Sequence, residues 1–331
     1  MVDFSMSRSF GLMARTAPFL VFRMIVYFGM ALAYVAVTGT GAGIGWGIGG
    51  FGDEGFRAGA TFWGGAAGFG LTAGVLYFLR EYILYTVKAG HIAVMVELID
   101  GRPLPEGRGQ IAHATAVVKE RFAETSMLFG IDQLVKGVLG TITGLLQGVA
   151  SILPIPGLQQ IMGIVRAFLR IAVGLVDEVI LAHAIRTRST NPWASARTAL
   201  VLYGQNAGRM MRNAAVLTLI VWFLSLGVFL VMLAPAAALV YLIPGAWSAG
   251  GVVFALIFAW AVKAALIEPF AIACMMQAFF KVTDGQVPDP AWESKLDGAS
   301  VKFQKMGARA ATWAGGSKSN AQVKQDIGMT A

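Results

Sequence analysis

Arg166 and Arg170 stand about one helical turn apart in the apolar stretch 158–185, and Gln159, Gly163, Gly174 and Asp177 follow the same face at steps of three and four. Guanidinium groups at bilayer depth are costly unless protein, water or an anionic solute meets them. Arginines in this pattern can therefore do one of two things: tie helices together through ion pairs, or line a hydrated path for an anionic or zwitterionic solute. The preceding stretch, 126–153, is amphipathic as well. Ile131, Val135, Val138, Ile142, Leu145, Val149 and Ile152 share one face, while Asp132, Lys136, Thr143 and Gln147 share the other. Antiparallel pairing about the turn Leu153–Gly157 brings Lys136 level with Asp177 and Glu178 and predicts a salt bridge there. Arg166 and Arg170 then oppose Gly140, Thr143, Gly144 and Gln147, none of them a carboxylate, so a contact with Glu268 is expected instead. The pathway candidates are Arg166, Arg170, Glu268, Gln147 and Thr143. The structural ion-pair candidates are Asp132, Lys136, Asp177 and Glu178.

Pro235 and Pro269 interrupt two further apolar stretches and free backbone carbonyls there. Glu268-Pro269 is the more suggestive pair, because charge and break coincide, and Lys263, nearby in sequence, is expected either to pair with a carboxylate or to sit in water. Catalysis finds little support. His91, His113 and His183 fall on separate segments without metal-ligand spacing, and no nucleophile elbow or phosphate-binding loop is present. Neither an enzyme activity, a metal nor a cofactor is expected.

These residues must be positioned by membrane helices. The chain has 331 residues, 56% of them hydrophobic and 13% charged, against roughly 25% charged in an average soluble domain. Apolar stretches at 18–38, 61–79, 126–153, 158–185, 214–243 and 249–280 each approach or exceed the roughly 20 residues that cross a bilayer. They predict an all-α polytopic bundle of about six spans in three hairpins. If 126–185 instead lies as a re-entrant or interfacial hairpin, four spans remain and the sidedness downstream is unchanged.

Basic residues alternate between connections. Arg8 and Arg15 precede the first stretch; Arg80, Lys88, Arg102, Arg108, Lys119 and Arg121 follow the second; Arg186, Arg188, Arg197, Arg209 and Arg212 precede the fifth. The intervening turns carry little or no net positive charge, so both termini are expected on the cytoplasmic side of a bacterial-type inner membrane, with the first stretch an uncleaved signal anchor. The net charge of +8 belongs to this topology and not to nucleic-acid binding. Segments 81–125 and 186–213 are expected as cytoplasmic surface helices, the second resting on anionic lipid headgroups. A membrane domain of 1–281 and a cytoplasmic tail of 282–331 complete the division. In the tail, Trp292, Leu296, Ala299, Phe303, Met306, Ala310 and Trp313 form an apolar stripe that suits a helix lying on the membrane or docked under the protein. Cys274, alone, implies no disulfide.

Gly41, Gly45 and Gly49, interleaved with Gly39, Gly43 and Gly47, repeat small-xxx-small spacing twice over, and Gly64, Gly68 and Thr72 extend it into the second stretch. Such faces let helix backbones touch, within a subunit or around the axis of a homo-oligomer.

The stretch from Asn191 through Ser195, Ala196, Arg197 and Ala199, with Arg212-Asn213 and the apolar run 216–227 after it, resembles the C-terminal portion of the choline transporter-like proteins. The likeness covers roughly the last 45% of the chain. It implies a helical transporter architecture. Together these readings predict a transporter-like or channel-like membrane protein for a small solute or ion, with an oligomeric membrane scaffold or accessory subunit as the rival.

Overall fold

The computed structural model describes residues 2–103, 109–122, 125–151, 176–242 and 248–313, without side-chain detail at 78–86, 119–122, 125–129, 132, 145–151, 176–177, 239–242 and 248–251. Every regular element among the described residues is helical. In chain order these are α1 (Met6–Arg15), α2 (Ala17–Gly49), α3 (Glu54–Ile99), α4 (Gln110–Phe122), α5 (Thr125–Ser151), α6 (Val176–Arg186) and α7 (Pro192–Gln205). There follow α8 (Ala207–Leu242), α9 (Ser248–Val262), a wide helical turn at Lys263–Ile267, α10 (Glu268–Val282), α11 (Pro290–Ala299) and α12 (Val301–Ala311). Three stretches, Ala17–Gly49, Ala207–Ala238 and Val252–Val282, are long and apolar enough to cross a membrane. They coincide with the first, fifth and sixth expected spans. The second expected span is helical but diluted by Gly64, Gly65, Gly68, Gly70 and Gly74.

The helices pack as two compact units, one of residues Ala17–Val87 and Val221–Pro269, the other of Met1–Thr16, Lys88–Ile220 and Phe270–Ala331. The first is apolar on the outside. Val21, Ile25 and Leu32 on α2, Phe62 and Leu71 on α3, Phe223, Leu230 and Val231 on α8, and Val252 and Leu256 on α9 are all exposed. An exterior of this kind is stable against lipid and unfavourable against water. Its interior is built from small residues and rings: Ala31, Ala236, Ala255, Ala261, Ala264 and Ala265 pack with Tyr27, Met30, Phe254 and Phe258.

Within this unit α2 and α3 run antiparallel along a glycine seam. A Cβ on Gly41 would collide with the Gly64 carbonyl, one on Gly45 with the Ala60 carbonyl, and one on Gly68 with the Val37 carbonyl. Only glycine permits backbones that close. The interleaved Gly39, Gly43 and Gly47 meet nothing within 4 Å, so the doubled spacing separates into one stripe used in the seam and one that faces outward. At the closed end the Asp53 carboxylate accepts from the Phe56 amide at 2.7 Å, and Arg57 lies 5.4 Å from the Trp46 ring across the seam.

The second unit has the opposite character, an apolar core with ion pairs outside it. Ile92–Val96 of α3, Val179–Ala182 of α6, Ala199–Tyr203 of α7 and Phe270–Phe280 of α10 are buried. Asn191 caps α7 by accepting from the Ala194 amide at 3.1 Å, with Pro192 in the first turn, where its missing N–H costs nothing.

The tail stripe breaks at Ser300, whose extended backbone ends α11 and whose hydroxyl accepts from the Phe303 amide to start α12. Leu296, Phe303 and Met306 are fully buried, so the tail docks on protein, against α7 and α5, and belongs to this unit. The Lys302 side chain lies over Gly137 of α5, and the Arg309 guanidinium comes within 3.3 Å of the position a Cβ on Gly130 would take. Thus α5, expected as a third span, is packed beneath a helix carrying lysines and an arginine.

Candidate functional site

The polar centre of the outward-apolar unit forms where α9 gives way to α10. The Glu268 amide donates to the Lys263 carbonyl, five residues back, which widens the turn into a π-helical bulge. In that register residue 269 would serve the Ala264 carbonyl, but Pro269 has no N–H to give. Arg23 of α2 takes its place: Nη2 donates to the Ala264 carbonyl at 2.6 Å. The arginine is 1% exposed, although its helix neighbours Val21 and Ile25 face outward, and its Nε has no hydrogen-bond partner. Its guanidinium lies 5.7 Å from the Tyr27 ring, which meets Trp260 edge-on.

Glu268 stands beside this junction. Its carboxylate lies 3.8 Å from Arg23 Nη2 and 4.0 Å from Lys263 Nζ, contacts too long to be hydrogen bonds. Two cations and one carboxylate leave a net positive charge. The carboxylate is 28% exposed and Lys263 40%, so both heads open outward while the arginine is enclosed. Such a site can hold water or a small anion on its cations.

Of the residues predicted from sequence, Glu268 is in this site, and Lys263 approaches it to 4.0 Å. Its arginine partner among the described residues is Arg23; Arg166 and Arg170 lie outside them, and so does the expected contact from either. Arg23 lies inside the first apolar stretch, 18–38, and was not among the predicted site residues. The available signal was Pro269 itself, since a carbonyl freed inside an apolar segment demands a donor and few lie in the apolar stretches.

Glu178, expected to meet Lys136, accepts from Lys88 Nζ at 2.7 Å. Lys136 is exposed on α5 and Thr143 half-buried there, both in the ion-paired unit and not in the site around Glu268. The side chains of Asp132, Gln147 and Asp177 lie outside the described residues. The histidines part company. His91 Nε2 is 2.8 Å from the Thr16 hydroxyl, His113 Nε2 is 2.8 Å from Glu97, and His183 packs edge-on to Phe279.

The residues that carry the family resemblance have structural tasks. Asn191 caps α7 and donates from Nδ2 to the Ala310 carbonyl at 2.8 Å, fastening the tail. Arg197 clamps α11 and α12, donating from Nε to Glu293 at 2.9 Å and from Nη2 to Asp297, with Phe303 under its guanidinium. Asn213 grips Asp3: it donates from Nδ2 to the carboxylate at 2.8 Å and accepts the Asp3 amide at 2.7 Å. Beside Arg197 a cavity of about 480 Å³ is lined by Thr198, Val201, Pro288 and Gly307. Compared with known proteins, the chain matches no family model, no curated protein and no solved structure.

Proposed function

We propose that this is an integral membrane protein that crosses the bilayer four times, as two hairpins, and passes a small solute or ion by way of Glu268 and Lys263. Segments 17–87 and 221–269 each have basic residues at both ends, Arg8 and Arg15 with Lys88 and Arg102 for the first, Arg209 and Arg212 with Lys281 for the second. By the positive-inside rule each leaves and returns on one side. Residues 221–242 of α8 rise about 33 Å, close to the roughly 30 Å of a hydrocarbon core. The same rule supports the reading that both termini lie on the cytoplasmic side of an inner membrane. This reading takes the sequence alternative in which 126–185 does not cross, because α5 packs under the charged α12. A cysteine in place of Lys136 then reacts with an impermeant maleimide from the same side as one in place of Lys305. Labelling of the two from opposite sides, or protection of position 136 by lipid, would restore six spans.

The observation that carries the transport reading is the Glu268 carboxylate, half-open in an apolar helix and without a hydrogen bond among the described residues. Within a bilayer it requires water or a transported partner. Proteoliposome flux tests this. Wild type is expected to pass an ion or quaternary amine, and Glu268→Gln to reduce that flux by tenfold or more. Absence of wild-type flux across both classes would remove the reading. The rival, a non-transporting scaffold, draws support from the commitment of Arg23 to Ala264 and from the structural roles of Asn191, Arg197 and Asn213, the residues behind the choline transporter-like resemblance. It expects no flux and a homo-oligomer.

A further inference from the structure

We propose that Arg209, Arg212 and Lys281 form a binding site for the phosphate of an anionic phospholipid headgroup, with Asp3 as the fixed counter-ion that gathers them. The four residues belong to the ion-paired unit, where the segment before α1 meets the first turns of α8 and the last turn of α10. Asp3 is 8% exposed, and its carboxylate is already satisfied by Asn213 Nδ2 and Arg209 Nη2, each at 2.8 Å. Arg212 Nη2 at 3.6 Å and Lys281 Nζ at 3.9 Å reach it only loosely. Among the described residues neither makes a hydrogen bond, and they are 51% and 65% exposed, so their donors point to solvent unspent.

Three cations thus share one carboxylate: no acidic residue occurs from Val179 to Ile267 beside the two arginines, and among the described residues Lys281 pairs with Asp3 and not with the nearby Asp284. The excess charge asks for an anion, and apolar neighbours say which kind. Val216 and Leu219, one and two turns beyond Arg212 on α8, are 37% and 61% exposed. Met6 and Phe10, on the helix that follows Asp3, are 41% and 55% exposed. A phosphate bordered by exposed aliphatic and aromatic side chains, on a helix that continues into an outward-apolar unit, fits a lipid headgroup better than a soluble anion. Arg197, expected from sequence to face the headgroups, is occupied by Glu293 and Asp297.

The inference rests on α8 entering a bilayer, which partition of the full chain into detergent-soluble membrane fractions checks separately. In micelles doped with phosphatidylglycerol or phosphatidylcholine, native mass spectrometry of the full chain should show preferential retention of the anionic lipid. Arg212→Gln with Lys281→Gln should weaken that retention about 30-fold, and Lys281→Gln alone about fivefold. Lys305→Gln, on the exposed side of α12, should leave it unchanged. Thermal unfolding checks that the variants fold; should the double variant fail, Lys281→Gln alone decides. Equal retention of both lipids, an unchanged double variant, or an equal loss in Lys305→Gln would overturn the proposal. So would displacement of the lipid by millimolar inorganic phosphate, which would mark a site for the free anion.

Discussion

Arg23 donates to the Ala264 carbonyl at 2.6 Å, the acceptor that Pro269, without an N–H, leaves unserved in the widened turn. The arginine and the proline, distant in sequence, are therefore coupled through one backbone oxygen. Arg23→Met should cost about 1–3 kcal/mol, the range for leaving a buried acceptor unpaired. With Pro269→Ala, which returns an amide to that turn, the same change should cost at least about 1 kcal/mol less. Thermal unfolding of the four members of the cycle in detergent measures this, and additive costs would refute the coupling.

The glycine seam makes a position-specific prediction along a single helix. Gly45→Ala drives a methyl into the Ala60 carbonyl and should destabilise by about 1–3 kcal/mol. Gly43→Ala, one half-turn earlier and in open space, should instead gain up to about 1 kcal/mol from helix propensity. Parallel melts of the two variants give the signs directly.

Asp3 supplies the pH dependence. Hydrogen bonding by Asn213, then by Arg209 with the nearby Arg209 and Lys281 charges, holds its carboxyl below the ordinary carboxylate value despite burial. A depressed folded pKa contributes stability that is present above the unfolded value, about 3.9, and lost as pH falls through the folded one. The advantage of wild type over Asp3→Asn should therefore be full at pH 7 and shrink below about pH 4. Melting curves of the pair from pH 7 to pH 3 should converge; a constant offset would show that the ionised form has no special role.

Arg197 joins the tail to α7 through two carboxylates and an aromatic face. Arg197→Lys retains the charge but not the planar fork, and should release α11 and α12 nearly as well as Arg197→Ala does. Limited trypsin digestion after Lys295, Lys302 or Lys305 should accelerate by tenfold or more in both variants. Gly307→Ala should act the same way from the other side, since its methyl would meet the Arg197 guanidinium.

Much of the apolar unit was legible because a bilayer-length hydrophobic run has few alternatives. The bilayer-length apolar helices at α2 and α8, and the one across α9 and α10, follow from length and composition alone. The glycine runs announced close packing, yet the sequence could not tell Gly41, Gly45 and Gly49 from Gly39, Gly43 and Gly47, since both stripes have the same period. The tail shows a similar ambiguity. An apolar stripe fits lipid and protein equally, and only tertiary contact assigns Leu296, Phe303 and Met306 to α7 and α5. The partners of Asp3 lay beyond reach, because a single carboxylate near one end leaves no periodic trace, whereas the Arg23–Ala264 bond was signalled only by Pro269. The charged stripe of 158–185 was conspicuous in sequence, and its arginines fall outside the described residues.

The three-part make-up of the ion-paired unit bears on how the protein is synthesised. Asp3 is secured by Asn213, 210 residues later, and the Ser9 hydroxyl by Cys274 and Gln277, 265 and 268 residues later. A nascent chain can fasten α1 to α3 early, through Arg8 to the Ile99 carbonyl and Thr16 to His91, but it completes the contacts of Asp3 and Ser9 only after α8 and α10 have been made. Closure of this core is therefore among the last steps of folding, and a chain ending before α10 would leave the Ser9 hydroxyl without Cys274 and Gln277.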